Sequence, residues 1–79
     1  MKLPRDISDQ ELASKLTVFG YEITRQNGSH IRLTTPQNGE HHITIPRHDP
    51  LKVGTLSGIM NDIAKHLDIS REELTNKLF

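Results

Sequence analysis

An antiparallel sheet is predicted by residues 21–46, which read YEITRQNGSHIRLTTPQNGEHHITIP. Apolar and polar side chains alternate in three short runs, a pattern typical of strands with one face on a core and the other in water. The apolar positions are Tyr21 and Ile23, then Ile31 and Leu33, then Ile43 and Ile45. We therefore expect three strands joined by two hairpins.

The phase of the side chains constrains both hairpins. Residues directly opposite each other in adjacent strands lie on the same face, so Ile23 must pair with an apolar residue of the second strand. A plain two-residue Asn-Gly loop would instead place Ile23 opposite Arg32. We therefore expect a three-residue loop, or a bulge, at Asn27-Gly28-Ser29. The loop around residues 36–39 should likewise have an odd length or a bulge.

A helix is predicted before the sheet. Ser8 and Glu11 have the spacing of a capping box, in which each side chain bonds the other residue's backbone N–H. The apolar stripe that follows predicts a helix over residues 8–19. Gly20 is placed to end this helix in a left-handed conformation. The helix therefore leads directly into the first strand.

Two further helices are predicted after the sheet. Apolar residues recur every three or four positions over 56–67, with Thr55 as the expected cap and His66 on the solvated side. Ser70 and Glu73 have the spacing of a second capping box, which starts a short final helix. The order α-β-β-β-α, followed by a short C-terminal helix, predicts an α+β fold with helices on one face of the sheet.

Length and composition restrict the class of protein. The chain has 79 residues, no cysteine, 33% apolar residues and 4% aromatic residues. We therefore expect one domain over residues 1–79, without disulfides or a deep cavity. The sequence shows neither a secretory signal nor the roughly 20 consecutive apolar residues of a membrane span. A cytoplasmic protein with a shallow site for a polymer or protein ligand, and no membrane partner, is predicted.

The charge of the chain is balanced but unevenly distributed. Ten basic residues cancel ten acidic ones, whereas nucleic-acid-binding domains are usually basic. The acids concentrate near the two ends, in residues 6–11 and 62–73. Residues 21–54 instead hold four cations and four histidines against three acids. The middle of the chain can therefore present a positive face.

One polar face of the predicted sheet carries candidate chemistry. The alternation places five side chains on the face away from the helices: His30, Arg32, Thr34, His42 and Thr44. A histidine that moves a proton, beside an arginine that stabilises charge on phosphate, suits a phosphodiester substrate. The same residues would also be expected on an ordinary solvated sheet face, and the pattern leaves both interpretations open.

Other polar residues offer weaker candidates. His41 and His42 are adjacent in a strand and point to opposite faces, and no third ligand completes a metal site, so we expect no metal and no cofactor. Arg47, His48 and Lys52 lie in the segment that leads to a helix N-terminus, where phosphate binding is favoured. This segment can equally be an ordinary surface loop.

The sequence resembles the HicA (YcfA-like) toxins of bacterial toxin–antitoxin pairs over nearly all of residues 8–67. The resemblance is carried by four motifs: Phe19-Gly20-Tyr21, Gly28-Ser29-His30, Ile43-Thr44-Ile45-Pro46-Arg47-His48 and Lys52-Val53-Gly54-Thr55-Leu56-Ser57-Gly58-Ile59. It implies a fold like that of the double-stranded-RNA-binding domain, with residues 68–79 as a helical extension.

The resemblance also implies a function. HicA-like toxins are mRNA interferases, ribonucleases that cleave transcripts and arrest growth, and a HicB antitoxin covers their active site. The family's catalytic histidine corresponds to His30, and Ser29 belongs to the turn that holds it. We expect Arg32 and Lys52, with Arg47 and His48 as weaker candidates, to bind RNA phosphate, and we expect Ser29 also to bind RNA. The alternatives are a non-catalytic double-stranded RNA-binding module and a protein-interaction domain.

Overall fold

The computed structural model describes residues 3–4 and 6–79, which form an α+β fold around one three-stranded antiparallel sheet. Strand β2 lies between β1 and β3. The predicted fold class is therefore confirmed. The elements in chain order are α1 (Asp9–Lys15), a 3₁₀ helix (Leu16–Phe19), β1 (Glu22–Gln26), β2 (His30–Thr35), β3 (His41–Pro46), α2 (Val53–Leu67) and α3 (Arg71–Leu78).

The predicted side-chain phase is present in the central and last strands. Across β2 and β3, Arg32 pairs with Thr44 and Thr34 pairs with His42. The intervening apolar residues are all buried: Ile31, Leu33, Ile43 and Ile45. One face of the sheet therefore packs on the core, and the other carries the polar side chains.

The β1–β2 hairpin contains both a three-residue connection and a bulge. Residues 27–29 join the strands, as predicted, whereas the bulge lies within β1. The pairing shifts between Ile23, which pairs with Leu33, and Arg25, which pairs with Arg32. This extra residue lets Ile23 take the core phase, although its position on an edge strand leaves it 46% exposed. The β2–β3 loop, residues 36–40, has the predicted odd length.

The first helix begins as predicted and ends differently. Ser8 and Glu11 form the full capping box. The α-helix stops at Lys15, and the tighter 3₁₀ helix carries the chain to Phe19. Gly20 then adopts φ 80°, and a Cβ on this residue would lie 2.9 Å from Oγ1 of Thr35. Both the left-handed backbone and the close approach therefore require glycine at this turn.

Helix α2 begins earlier than predicted. Lys52 is its N-cap residue, and no side chain caps it, so the prediction that Thr55 caps a helix over 56–67 was wrong. Leu51 is 2% exposed, and its N–H donates to the Ile7 carbonyl at 2.8 Å. This anchor fixes the chain just before α2, and Thr55 falls inside the first turn. In α3, Ser70 accepts a hydrogen bond from the Glu73 N–H, as expected.

One hydrophobic cluster joins the helices to the sheet. Leu12 and Leu16 from the first helical segment, Met60 and Ile63 from α2, and Leu74 from α3 all contribute to it. Each of these side chains is completely buried.

Among the described residues, no helix has the length and apolar character needed to cross a membrane.

Candidate functional site

His30 lies at the first position of β2, at the end of a tight turn that orients its imidazole. Its Nδ1 lies 2.8 Å from Oγ of Ser29. Oδ1 of Asn27 accepts hydrogen bonds from Ser29 N–H at 2.8 Å, from His30 N–H at 2.9 Å and from the Ser29 hydroxyl at 3.1 Å. Asn27, Ser29 and His30 are all exposed. The turn therefore presents an accessible imidazole on a backbone that is held by several hydrogen bonds.

Arg47 fastens this turn to the rest of the molecule. Its N–H donates to the Ser29 carbonyl at 2.9 Å, and its Nη1 donates to the Asn27 carbonyl at 3.0 Å. Its Nε also lies 3.5 Å from Oδ2 of Asp9, which is 6% exposed. Hydrogen bonds that involve ionised groups are stronger than neutral ones. The end of β3 and the start of α1 therefore both support the turn that carries His30.

The open face of the sheet places a second arginine beside the first. Arg25 pairs directly with Arg32 because the bulge at Thr24 shifts the register of β1. Residues paired in this way lie on the same face, so two guanidinium groups share this surface with His30. Both arginines are exposed. Such a surface offers cations to a phosphate backbone beside a group that can transfer a proton.

His42 lies on the same face but is held by its neighbours. Its Nδ1 is 2.8 Å from Oγ1 of Thr34, and its Nε2 is 3.2 Å from a carboxylate oxygen of Glu40. A carboxylate only accepts, so Nε2–H donates to Glu40 and Nδ1 accepts from the threonine in the neutral ring. Neither nitrogen is free, in contrast to Nε2 of His30, for which no hydrogen bond is found among the described residues.

A comparison with protein-family models identifies the family of the chain. The family model for the HicA toxin of bacterial toxin–antitoxin systems matches residues 10–67, from α1 to the end of α2. The chain belongs to the HicA toxin family. Searches of curated proteins and of solved structures gave no match. As a HicA, the protein is a toxin that functions with a cognate antitoxin.

Most of the residues predicted to form the HicA site lie near the turn. Ser29, His30 and Arg47 are joined by hydrogen bonds or by adjacency in the chain, and Arg32 lies two residues along β2. His48 and Lys52 are exposed between β3 and α2, and within the described residues no hydrogen bond joins their side chains to His30. Their binding to RNA stays a prediction, as does that of Ser29, Arg32 and Arg47.

Arg25 was not among the predicted site residues. Simple alternation gives Arg25 the same phase as Ile23 and would place it on the core side of the sheet, whereas the bulge between them moves it to the open face. The pairing of Arg25 with Arg32 depends on where the bulge falls. The available signal was the cation itself, within the basic stretch of residues 21–54.

A second group of titratable side chains lies on the helix side of this HicA's sheet. The hydroxyl of Tyr21 is 2.8 Å from Nδ1 of His41, and Nε2 of His41 is 3.4 Å from Oδ1 of Asp62. Burial, and to a smaller degree the charge of Asp62, raises the pKa of Tyr21 to about 12. The phenol therefore stays protonated near neutral pH and donates to His41.

His66 belongs to this group, and the prediction that it is solvated was wrong. Its ring stacks on that of His41, with centroids 4.1 Å apart. Its Nε2–H donates to the carbonyls of Gln37 at 2.8 Å and Gly39 at 3.0 Å. His66 thus joins the end of α2 to the β2–β3 loop.

Among the described residues, no group of three or more His, Cys, Asp or Glu side chains could hold a metal ion.

Proposed function

We propose that this HicA toxin is an endoribonuclease that cleaves mRNA and arrests growth, with His30 as general acid or base. The observation that carries the proposal is the exposed imidazole of His30, held at Nδ1 by Ser29 and open at Nε2. Membership of the HicA toxin family supports it further. The site requires no metal or cofactor in this proposal, because the proton transfer is assigned to the histidine.

The chemistry of RNA fits this surface. Each ribonucleotide carries a 2′-hydroxyl next to the phosphate that is cleaved, so a base that removes the hydroxyl proton activates an internal nucleophile. His30 would move that proton or the one needed by the leaving 5′ oxygen. Arg32 and Arg25 would stabilise the charge that develops on phosphate. Lys52, with Ser29, Arg47 and His48 as further candidates, would hold the flanking backbone.

The partner that neutralises the toxin is proposed to be a HicB antitoxin that covers the open face of the sheet. Such a cover would hide Nε2 of His30 and compete with RNA for Arg32. We propose that the whole chain acts as one HicA-like domain, with residues 68–79 as its extension, because Leu74 and Leu78 share the common core. The site of action would be the cytoplasm, where mRNA is translated.

The test compares His30→Ala with His42→Ala, a matched change on the same face. We expect His30→Ala to abolish RNA cleavage by the purified protein and growth arrest in cells, while His42→Ala retains both. Because His30 is exposed, the thermal unfolding midpoint of the His30→Ala variant should stay close to that of the parent. Unchanged cleavage and toxicity in a folded His30→Ala protein would contradict the proposal.

The same assay separates the alternatives. A non-catalytic double-stranded RNA-binding module would bind duplex RNA with a steep salt dependence and cleave nothing. A protein-interaction domain, which the balanced charge of the chain favours, would show no RNA affinity even at low salt. Cleavage that depends on His30 is expected only of the proposed ribonuclease.

A further inference from the structure

We propose that Asn27 is a positioning residue that sets the tautomer of His30 by fixing the hydroxyl proton of Ser29. This inference rests on the proposed role of His30. It extends that role to a residue outside the Gly28-Ser29-His30 motif. Asn27 touches no reacting atom in this proposal and acts only through Ser29 and the turn backbone.

The side-chain amide of Asn27 can be oriented without ambiguity. Two backbone N–H groups, those of Ser29 and His30, point at the same side-chain atom at 2.8 and 2.9 Å. An NH₂ group cannot accept these bonds, so the atom must be the carbonyl oxygen Oδ1. Oδ1 is therefore an acceptor whose position is fixed by the turn.

The hydroxyl of Ser29 satisfies both of its contacts in one arrangement of protons. Its Oγ lies 3.1 Å from Oδ1 of Asn27 and 2.8 Å from Nδ1 of His30. Because Oδ1 cannot donate, both contacts are hydrogen bonds only when the hydroxyl donates to Oδ1 and offers lone pairs to the imidazole. In this arrangement Nδ1 of His30 carries a hydrogen, which it donates to Oγ. In the neutral imidazole this leaves Nε2 as the unprotonated nitrogen.

This tautomer is the one that the proposed reaction needs. A general base must present its lone pair to the substrate, and Nε2 is the nitrogen that Ser29 leaves open. The opposite tautomer would direct the lone pair into the turn. Without the amide of Asn27 the serine hydroxyl can rotate and donate to Nδ1, so both tautomers become accessible.

The backbone of the turn has a second support, so the proton effect can be separated from folding. Arg47 donates to the carbonyls of Asn27 and Ser29 through its side chain and backbone, respectively. The Asn27 N–H also donates to the His30 carbonyl at 3.0 Å. None of these bonds uses the side chain of Asn27. A variant that lacks only the amide should therefore keep the turn.

The test is ¹⁵N–¹H NMR of the histidine ring nitrogens in the full chain at about pH 8.5, where an ordinary imidazole is neutral. We expect His30 of the parent to carry its hydrogen on Nδ1. Asn27→Ala should give a mixture of tautomers, and Asn27→Asp, which retains an acceptor, should restore the parent pattern. Ser29→Ala removes the acceptor of Nδ1–H, leaves the two backbone bonds to Asn27 in place, and should also give a mixture.

Cleavage kinetics give the functional readout. Asn27→Ala should lower kcat by roughly three- to tenfold, the effect expected from the loss of one hydrogen-bond preference, while KM for RNA stays near that of the parent. Asn27→Asp should recover most of kcat. A change confined to KM would instead assign Asn27 to RNA binding and would overturn the proposal.

The two proposals fail in different ways. If His30 carries its hydrogen on Nε2 in the parent, or if Asn27→Ala leaves the tautomer unchanged, the positioning role is wrong whatever the protein does to RNA. If the tautomer responds as expected but neither the parent nor any variant cleaves RNA, the ribonuclease assignment fails. The inference that Asn27 sets the tautomer of His30 then still stands.

Discussion

The hydroxyl of Tyr21 lies 2.8 Å from Nδ1 of His41 and connects the start of β1 to the start of β3 across the central strand. The phenol is completely buried, whereas the ring of His41 is partly accessible. On its far side His41 contacts Asp62 and stacks on His66, both in α2. This group of four side chains thus joins two strands to a helix on the face opposite His30.

The raised pKa of Tyr21 predicts a loss of stability at alkaline pH. The phenol binds its proton up to about pH 12 in the folded protein and up to about pH 10 in the unfolded chain. Between these values the folded state holds more protons, so the free energy of unfolding falls as the pH rises. Urea unfolding can be measured for the parent and for Tyr21→Phe at about pH 9, about pH 10 and about pH 11. The free energy of unfolding should fall more steeply with pH in the parent than in Tyr21→Phe.

The phenylalanine variant also controls for lysine titration in this range, because both proteins carry the same lysines. A Tyr21→Phe protein whose stability falls as steeply as that of the parent would show that the phenol does not hold its proton as described.

The contact between His66 and the β2–β3 loop predicts a local effect of His66→Ala. The carbonyls of Gln37 and Gly39 would lose their donor, and the ring of His41 would lose its stacking partner. We expect a loss of about 1–2 kcal/mol in the free energy of unfolding, from one or two hydrogen bonds. Hydrogen exchange should accelerate at the amides of residues 37–40 before it does so elsewhere.

Lys65→Ala provides the matched control, because Lys65 is the exposed neighbour of His66 in α2. It should change the free energy of unfolding by no more than about 0.5 kcal/mol. Equal effects of the two substitutions would contradict the role given to His66.

The tight turn at Gly20 predicts that three Gly→Ala substitutions differ in their effect on the free energy of unfolding. Gly20 and Gly39 both have positive φ, but only at Gly20 would a Cβ meet another residue, at 2.9 Å from Oγ1 of Thr35. Gly20→Ala should therefore cost more than Gly39→Ala, which should cost about 1–2 kcal/mol for the backbone alone. Gly58→Ala, in open space within α2, should stabilise the protein by about 0.5–1 kcal/mol.

Thermal or urea unfolding of the three variants checks this order. A Gly20→Ala protein as stable as Gly39→Ala would mean that Thr35 moves away from the new methyl group at little cost.

The pairing of Arg25 with Arg32 predicts a shared contribution to RNA binding. The log of the RNA affinity falls linearly with the log of the salt concentration. For single-stranded RNA, each guanidinium that contacts phosphate should make this slope steeper by about 0.7. Arg25→Ala and Arg32→Ala, made in a His30→Ala background to prevent cleavage, should each reduce this slope. Binding to an RNA oligonucleotide, followed by fluorescence anisotropy at several salt concentrations, gives the measurement.

Lys77→Ala is the control for net charge, because Lys77 lies in α3 and pairs with Glu73. It removes the same charge from a different surface and should leave the slope nearly unchanged. A similar reduction in all three proteins would indicate a diffuse electrostatic effect with no specific face.

Much of the fold could be predicted because its signals are local. Alternation in β2 and β3 sets which residues are buried, and the capping box at Ser8 and the glycine at position 20 mark the ends of the first helical segment. The start of α2 could not be predicted in this way. It depends on the burial of Leu51 and on its hydrogen bond to Ile7, which comes from a distant part of the chain.

In the candidate site, too, some residues could be predicted from local sequence signals and others depend on more distant parts of the chain. His30 could be found from its turn and its motif, whereas Arg25 enters the open face through a bulge whose position alternation alone does not specify. His66 falls on the polar side of α2, yet its surroundings are set by a loop some 27 residues away in sequence. The hydrogen bonds of Asn27 likewise depend on the turn geometry, and the residue type alone does not reveal them.

The link from Asp9 through Arg47 to the turn has a consequence for a growing polypeptide. A ribosome that has just completed β2 has already made His30, but the chain still lacks the arginine that fastens its loop to α1. The histidine proposed to be the reactive group is thus synthesised before the arginine that supports its turn. A nascent or prematurely terminated chain that ends ahead of β3 should carry the histidine without the toxicity, which would spare the cell from its own unfinished product.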